Sequence, residues 1–168
     1  MNRTQAAIGS AIFFVLTPGT VAGLVPYWIT GYRLPDLTSI LSWVRVVLGF
    51  ALVAGGLAVL VTAFVRFVAE GRGTPAPIAP TEHLVVGGTY RYVRNPMYVA
   101  VVAIIVGQVL IFWSIGLMAY AVVIWSMTAA FVRWYEEPLL LARYGASYEL
   151  YRTSVRAWIP RLRPWTEP

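Results

Sequence analysis

The chain has 168 residues, of which 59% are hydrophobic and only 12% are charged, and its mean hydropathy is +0.70. Long apolar stretches with so few charges indicate transmembrane helices and exclude an ordinary soluble domain. The chain has no cysteine and a single histidine, His83, which excludes disulfides, thiolate nucleophiles and multi-histidine metal centres. All thirteen basic residues are arginine, and we interpret the net charge of +6 as a signal for membrane orientation and not for nucleic-acid binding.

Two apolar stretches occupy the first half of the chain. The first predicted span, 6–29, contains no charge, and we expect a bend at Pro18 because proline removes a helical hydrogen bond. The second predicted span, 43–68, is again apolar. Its Ala51 and Gly55 have the four-residue spacing of small residues that lets a neighbouring helix approach closely.

The second half begins with a loop and continues as an apolar hairpin. The loop, 70–96, is rich in proline and glycine, which forbid a regular helix. The following run, 97–132, has no formal charge and would be about 54 Å long as one helix, whereas a bilayer core is about 30 Å thick. It must therefore fold back, and we predict that residues 113–116 form the turn. We predict two spans in a tight hairpin, 97–113 and 116–134.

The last segment, 137–158, has an amphipathic pattern that predicts an interfacial helix. The fold class that follows is all-α: a single polytopic membrane domain with about four transmembrane helices and a C-terminal interfacial helix. Most arginines fall on the side that holds both termini and the loop. The positive-inside rule therefore predicts an integral protein of a bacterial inner membrane with its termini and its site in the cytoplasm.

Two polar clusters interrupt the apolar pattern, at 83–98 and at 133–138, and both fall on the predicted cytoplasmic side. We expect them to build one site. Each feature also has a structural interpretation: tyrosines are common at membrane interfaces, and an Asn-Pro step is typical of a helix start. The carboxylate pair at 136–137 either forms ion pairs with nearby arginines or takes part in acid–base chemistry.

Taken in order, these motifs resemble a known family. They are the run from Gly88 to Tyr98 (Gly-Thr-Tyr-Arg-Tyr-Val-Arg-Asn-Pro-Met-Tyr), the apolar hairpin, the pair Glu136-Glu137, then Tyr144-Gly145 and Ile159-Pro160-Arg161. This order is similar to that of the isoprenylcysteine carboxyl methyltransferase and phospholipid methyltransferase family, over residues 84–164. Many members have histidine where this chain has Asn95, and asparagine can hydrogen-bond but cannot carry a proton-transfer role.

The resemblance implies S-adenosylmethionine as cofactor, in a pocket of the last two spans and the C-terminal segment. The cofactor-binding residues that it implies are Glu82, His83, Leu84, Val85, Tyr90, Asn95, Pro96, Met97, Tyr98 and Glu136. It places Arg133 near the methyl acceptor. Glu137 is then the main carboxylate left for a catalytic role. We expect no metal and no nucleic acid; the expected partners are membrane lipids and a lipophilic substrate.

The predicted function is methylation of a lipophilic, membrane-dissolved acceptor. Few bases are present to deprotonate an amine, and the arginines would bias the pocket toward an anion, which favours a carboxylate of the isoprenylcysteine type. A lipid amine or a small thiol is the alternative acceptor. A non-catalytic four-span transporter or accessory protein is the alternative from another class. It would need an ionisable group near mid-membrane, where the spans have only Gln108, Ser126 and Thr128.

Overall fold

The structure, a computed structural model, describes residues 16–71 and 84–166, and all regular structure in these two ranges is helical. The prediction of an all-α chain is confirmed for these residues. The helices are α1 (Val25–Thr30), α2 (Ile40–Gly71), α3 (Pro96–Phe112), α4 (Ile115–Phe131), α5 (Glu137–Tyr144) and α6 (Ala146–Ser154). Two π-helical turns precede α1 and α5, at Thr20–Leu24 and Val132–Glu136, and a 3₁₀ turn covers Gly88–Arg91.

Two helical stretches are long and apolar enough to cross a membrane. They are Ile40–Arg66 in α2, and Ile115–Tyr144, in which α4 continues through the second π-helical turn into α5. Helix α3 is a shorter apolar helix of 17 residues, about 26 Å long. The first predicted span, 6–29, begins outside the described residues, so the count of four spans stays a prediction.

The connection between α3 and α4 is a tight turn at Trp113 and Ser114. Trp113 adopts a left-handed conformation with φ of 50°, and its N–H donates to the carbonyl of Val109 at 2.8 Å. The Ser114 hydroxyl caps α4 by accepting a hydrogen bond from the N–H of Leu117. Beyond the turn, Leu117 of α4 packs against Ile105 of α3, and neither side chain is exposed. The apolar run thus folds back as a hairpin within 113–116.

Helices α2 and α3 pack so closely that their contact requires glycine. A Cβ atom on Gly49 would lie 2.6 Å from the carbonyl oxygen of Gly107, and one on Gly56 would lie 2.7 Å from the Ile104 side chain. The expected small-residue pair was Ala51 and Gly55, and this expectation is wrong. Gly55 has no atom within 4 Å of its Cβ position, and Ala51 is exposed. The close contact instead uses Gly49 and Gly56, which are seven residues apart on α2.

The first π-helical turn has its cause in Pro26. The N–H of Val25 donates to the carbonyl of Thr20, five residues back. The next amide would donate to Ala22 in an α-helix or to Val21 in a π-helix, but proline has no N–H. The irregular turn therefore lies between the predicted bend at Pro18 and the second proline.

Side chains from the hairpin replace the missing donor. Gln108 of α3 donates its Nε2 to the carbonyl of Ala22 at 2.7 Å, and the Tyr120 hydroxyl of α4 donates to the carbonyl of Val21 at 2.9 Å. Gln108 is buried among apolar side chains. These two bonds tie the first helix, which comprises residues 16–30 and includes the π-helical turn and α1, to the hairpin through backbone carbonyls that Pro26 leaves open.

The C-terminal segment consists of two short helices instead of one. Gly145, with φ of 51°, separates α5 from α6, and α6 ends at Ser154, before residue 158, where the predicted helix ends. The buried side chains of α6, Tyr148 and Tyr151, form a small core with Val155. Residues 155–166 then run back along the 3₁₀ turn, and we refer to them as the C-terminal strap.

Candidate active site

A cavity of about 420 Å³ lies between the first helix, α2, α3 and α4. This volume is in the range of small-molecule sites. Most of its wall is apolar and comes from four separate helical segments. The apolar lining includes Pro18, Val21, Leu60, Phe64, Val101, Ile124, Met127 and Phe131.

One end of the cavity is polar. Its polar side chains are Tyr90, Arg94, Asn95, Tyr98 and Glu136. The Tyr98 hydroxyl donates to Oε2 of Glu136 at 3.2 Å, which joins the start of α3 to the second π-helical turn. The structure thus brings the two polar clusters together, since each contributes side chains to the same end of one cavity.

Arg94 connects this polar end to the C-terminal helices. Its Nη1 lies 3.0 Å from Oε1 of Glu137 and donates to the hydroxyl of Tyr148 at 3.1 Å. Burial raises the pKa of the Tyr148 phenol, so the hydroxyl stays protonated beside the guanidinium at neutral pH. The Nε of Arg94 is also buried, and among the described residues it has no hydrogen-bond partner.

Glu137 and Arg133 lie beside the cavity and do not appear among its lining residues. The Glu137 carboxylate is 11% exposed and is held between two arginines, with Nη1 of Arg133 at 3.6 Å from Oε2. The Arg133 side chain is 72% exposed. The two residues predicted as catalytic therefore form an ion pair with each other beside the cavity, in which Glu137 is mostly buried and Arg133 is exposed.

Asn95 occupies the N-cap position of α3, but its side chain makes no capping hydrogen bond. It donates instead from Nδ2 to the carbonyl of Ala157 in the C-terminal strap, at 3.2 Å. The Asn-Pro step thus stands at a helix start, as expected, but the side chain bonds to a tertiary partner and does not cap the helix. Asn95 still lines the cavity, so it joins the strap to the polar end.

The C-terminal strap holds the segment before α3 by backbone hydrogen bonds. Arg94 donates its N–H to the carbonyl of Arg156 at 2.9 Å, and Arg161 donates its N–H to the carbonyl of Tyr92 at 2.8 Å. Near the end of the strap, the N–H of Trp165 donates to the carbonyl of Arg91, whose Nε donates back to the Trp165 carbonyl. The segment that presents Arg94 and its neighbours to the cavity is therefore fixed from outside.

The predicted cofactor residues divide into three groups. Six line the cavity: Tyr90, Asn95, Pro96, Met97, Tyr98 and Glu136. Leu84 and Val85 do not line it: Val85 packs against Ala63 and Tyr90, and Leu84 packs on the core of α6. Glu82 and His83 lie outside the described residues.

Other lining residues were not among the predicted cofactor-binding residues. Arg94, directly before the Asn-Pro step, was expected only as one of the arginines that favour an anion in the pocket. Leu60 and Phe64 of α2 and Thr17 of the first helix carried no such signal. Their helices are apolar on most sides, so the sequence does not mark which face meets a cavity.

Comparison with known proteins is consistent with this geometry. A family model described as phospholipid methyltransferase matches residues 44–147, which is more than half of the chain. The matched region contains most of α2, the hairpin and the whole polar end of the cavity. No curated protein matches the chain.

Proposed function

The chain belongs to the phospholipid methyltransferase family, and we propose that it uses S-adenosylmethionine to methylate a lipophilic acceptor dissolved in the membrane. The family predicted from the motif order is confirmed, and membership makes the chain a membrane methyltransferase. The observation that carries the finer proposal is the cavity itself, in which a carboxylate, a tyrosine and an arginine stand at one end of a largely apolar wall.

The polar end fits the proposed cofactor. S-adenosylmethionine presents a sulfonium, an ammonium and a carboxylate. Glu136 and the ring of Tyr98 suit the two cations, and the positive charge of Arg94, which lines the cavity, suits the carboxylate. When bound, the cofactor supplies an electrophilic methyl group.

The residues around this end are arranged for alignment. Tyr98 fixes the Glu136 carboxylate by its hydrogen bond, and Glu137 and Tyr148 fix the Arg94 guanidinium. The apolar wall would keep water from the reacting groups once cofactor and acceptor fill the cavity. Alignment and water exclusion are the main contributions that a protein makes to an in-line displacement at a methyl group.

For the acceptor we propose a lipophilic carboxylate, with a thiol or lipid amine as the alternative. Such an acceptor would place its hydrophobic body along the apolar wall, against side chains such as Val21 and Met127. An anionic acceptor needs no base. In this scheme the exposed Arg133 binds the anion and Glu137 positions Arg133 and Arg94.

Calorimetry with S-adenosylhomocysteine on the detergent-purified chain tests the cofactor proposal. We expect Glu136→Gln and Tyr98→Ala each to weaken binding at least tenfold, about 1.4 kcal/mol. Glu149→Gln is the matched control, because this carboxylate is 44% exposed and pairs with Arg152 outside the cavity. Unchanged affinity in both cavity variants, with folding intact, would refute the assignment.

A methylation screen tests the acceptor. Labelled cofactor is supplied with matched lipophilic carboxylates, thiols and amines, and we expect turnover of the carboxylate first. Arg133→Ala should raise the KM for an anionic acceptor while leaving S-adenosylhomocysteine affinity unchanged. Turnover confined to amines, or an unchanged KM in Arg133→Ala, would contradict the proposal for the acceptor but not that for the cofactor.

A further inference from the structure

The C-terminal strap has an inner and an outer side of different character. Its inner side is anchored: Val155 is 1% exposed, and the Trp165 ring packs against Tyr151 with centroids 5.4 Å apart. Its outer side presents large apolar side chains, since Ile159 is 62% exposed and Leu162 is fully exposed. Exposed leucine and isoleucine on a segment that is fixed to the protein indicate a surface that contacts an apolar environment.

The position of the strap defines its depth relative to the bilayer. It is hydrogen-bonded to residues 91–95, and Asn95 immediately precedes the apolar helix α3. Because α3 alone is about 26 Å long, its first residue lies close to one boundary of a hydrocarbon core about 30 Å thick. The strap therefore lies at the level of the lipid headgroups, at the same end as the polar part of the cavity.

The outer side of the strap is also positively charged. Arg156 and Arg163 are exposed, and neither has a carboxylate partner among the described residues. The described carboxylates nearby are already engaged: Glu136 by Tyr98, Glu137 by Arg94 and Arg133, and Glu149 by Arg152. Exposed apolar residues interleaved with arginines at headgroup depth have the composition of an interfacial anchor for anionic lipids.

We propose that the C-terminal strap is a binding surface for anionic phospholipid headgroups. Arg156 and Arg163 contact the lipid phosphates, while Ile159 and Leu162 enter the acyl boundary. This surface is separate from the cavity, and the proposal does not depend on the chemistry of the methyl transfer.

A fluorescent reporter on the strap tests the proposal. Leu162→Cys introduces a unique thiol, because the chain has no cysteine, at a fully exposed position. The full chain in detergent, labelled there with an environment-sensitive dye, is titrated with phosphatidylglycerol, with phosphatidylcholine of the same chains, and with inorganic phosphate. We expect a blue shift at a phosphatidylglycerol concentration at least tenfold lower than for phosphatidylcholine, and none with inorganic phosphate.

Charge variants then locate the effect. In the labelled protein, Arg156→Gln and Arg163→Gln should each weaken phosphatidylglycerol binding about fivefold. Arg33→Gln is the matched control, since Arg33 is an exposed arginine in the connection between α1 and α2. Equal affinity for the two lipids, a full response to inorganic phosphate, or equal losses in all three charge variants would overturn the proposal. Unchanged S-adenosylhomocysteine affinity in the variants would show that the fold is intact.

Discussion

The two π-helical turns share a local design but differ in their surroundings. Each is five residues long and ends two residues before a proline: Thr20–Leu24 precedes Pro26, and Val132–Glu136 precedes Pro138. In each, the residue before the proline donates its N–H five residues back, from Val25 to Thr20 and from Glu137 to Val132. At both places, therefore, a π-helical turn precedes a proline that lies inside a continuous helix.

The first turn is closed by its neighbours. Its two open carbonyls face α3 and α4 and receive hydrogen bonds from Gln108 and Tyr120. At the second turn, Pro138 leaves the carbonyls of Arg133 and Trp134 without an amide donor. Both residues are exposed, and Trp134 is 79% exposed. There the wide turn instead carries Glu136 toward Tyr98. The first turn therefore fastens helices together, whereas the second orients a site residue, and the predictions below test this difference.

The largest effect on stability is expected at the first turn. Gln108→Leu keeps the volume but removes the donor to the Ala22 carbonyl in a buried setting. An unsatisfied buried carbonyl costs roughly 1–3 kcal/mol, and interhelical bonds in membranes about 0.6–1.7 kcal/mol. We expect a loss of about 1–2 kcal/mol in the free energy of unfolding, measured by denaturant titration in micelles. Ser126→Leu, at an exposed site on α4, is the control and should cause no loss.

A double-mutant cycle sharpens this prediction. Pro26→Ala restores an N–H that can reach the Ala22 or Val21 carbonyl, so the side-chain donor becomes less necessary. Gln108→Leu should then cost about 1 kcal/mol less in the Pro26→Ala background than in the parent. Strictly additive effects would mean that Gln108 acts through packing alone and does not replace the missing amide.

The fold and the site differ in how far the sequence predicts them. The hairpin turn, the helical character and the convergence of two polar clusters follow from length limits and polarity. The side-chain identities that matter at the polar end, such as Tyr98 and Glu136, stand out because polar residues are rare in this chain. The sequence therefore predicts best where an apolar pattern is interrupted.

Features that depend on contacts between apolar surfaces are not predictable in this way. Helix α2 is apolar on most sides, so its sequence does not show which small residues meet α3. The close approach of Gly107 and Ile111 is what requires glycine at position 49. The C-terminal strap has no periodicity, because backbone hydrogen bonds to residues 91–94 hold it. The exposed position of Arg133 likewise depends on the second π-helical turn, which no propensity of its five residues indicates.

A smaller effect is expected for the second donor of the first turn. Tyr120→Phe removes the hydroxyl that donates to the Val21 carbonyl, but this side chain is only partly buried, so water or lipid headgroups compensate in part. We expect a loss of about 0.5 kcal/mol in the same unfolding assay. Tyr135→Phe, on the exposed side of the second turn, is the matched control and should change nothing measurable. Equal losses at both tyrosines would erase the distinction between the two turns.

The smallest effect on stability is expected at the second turn, where Pro138→Ala restores an amide. Because the carbonyls it could reach belong to exposed residues, no buried acceptor gains a partner, and the free energy of unfolding should stay within about 0.5 kcal/mol. The π-helical turn, however, loses the proline that enforces it, and Glu136 is then less strictly held toward Tyr98. We expect S-adenosylhomocysteine affinity to fall about two- to fivefold, up to roughly 1 kcal/mol, by calorimetry. Pro26→Ala, which changes the first turn, should leave that affinity unchanged. If instead Pro26→Ala weakens binding and Pro138→Ala does not, the roles assigned to the two turns are reversed.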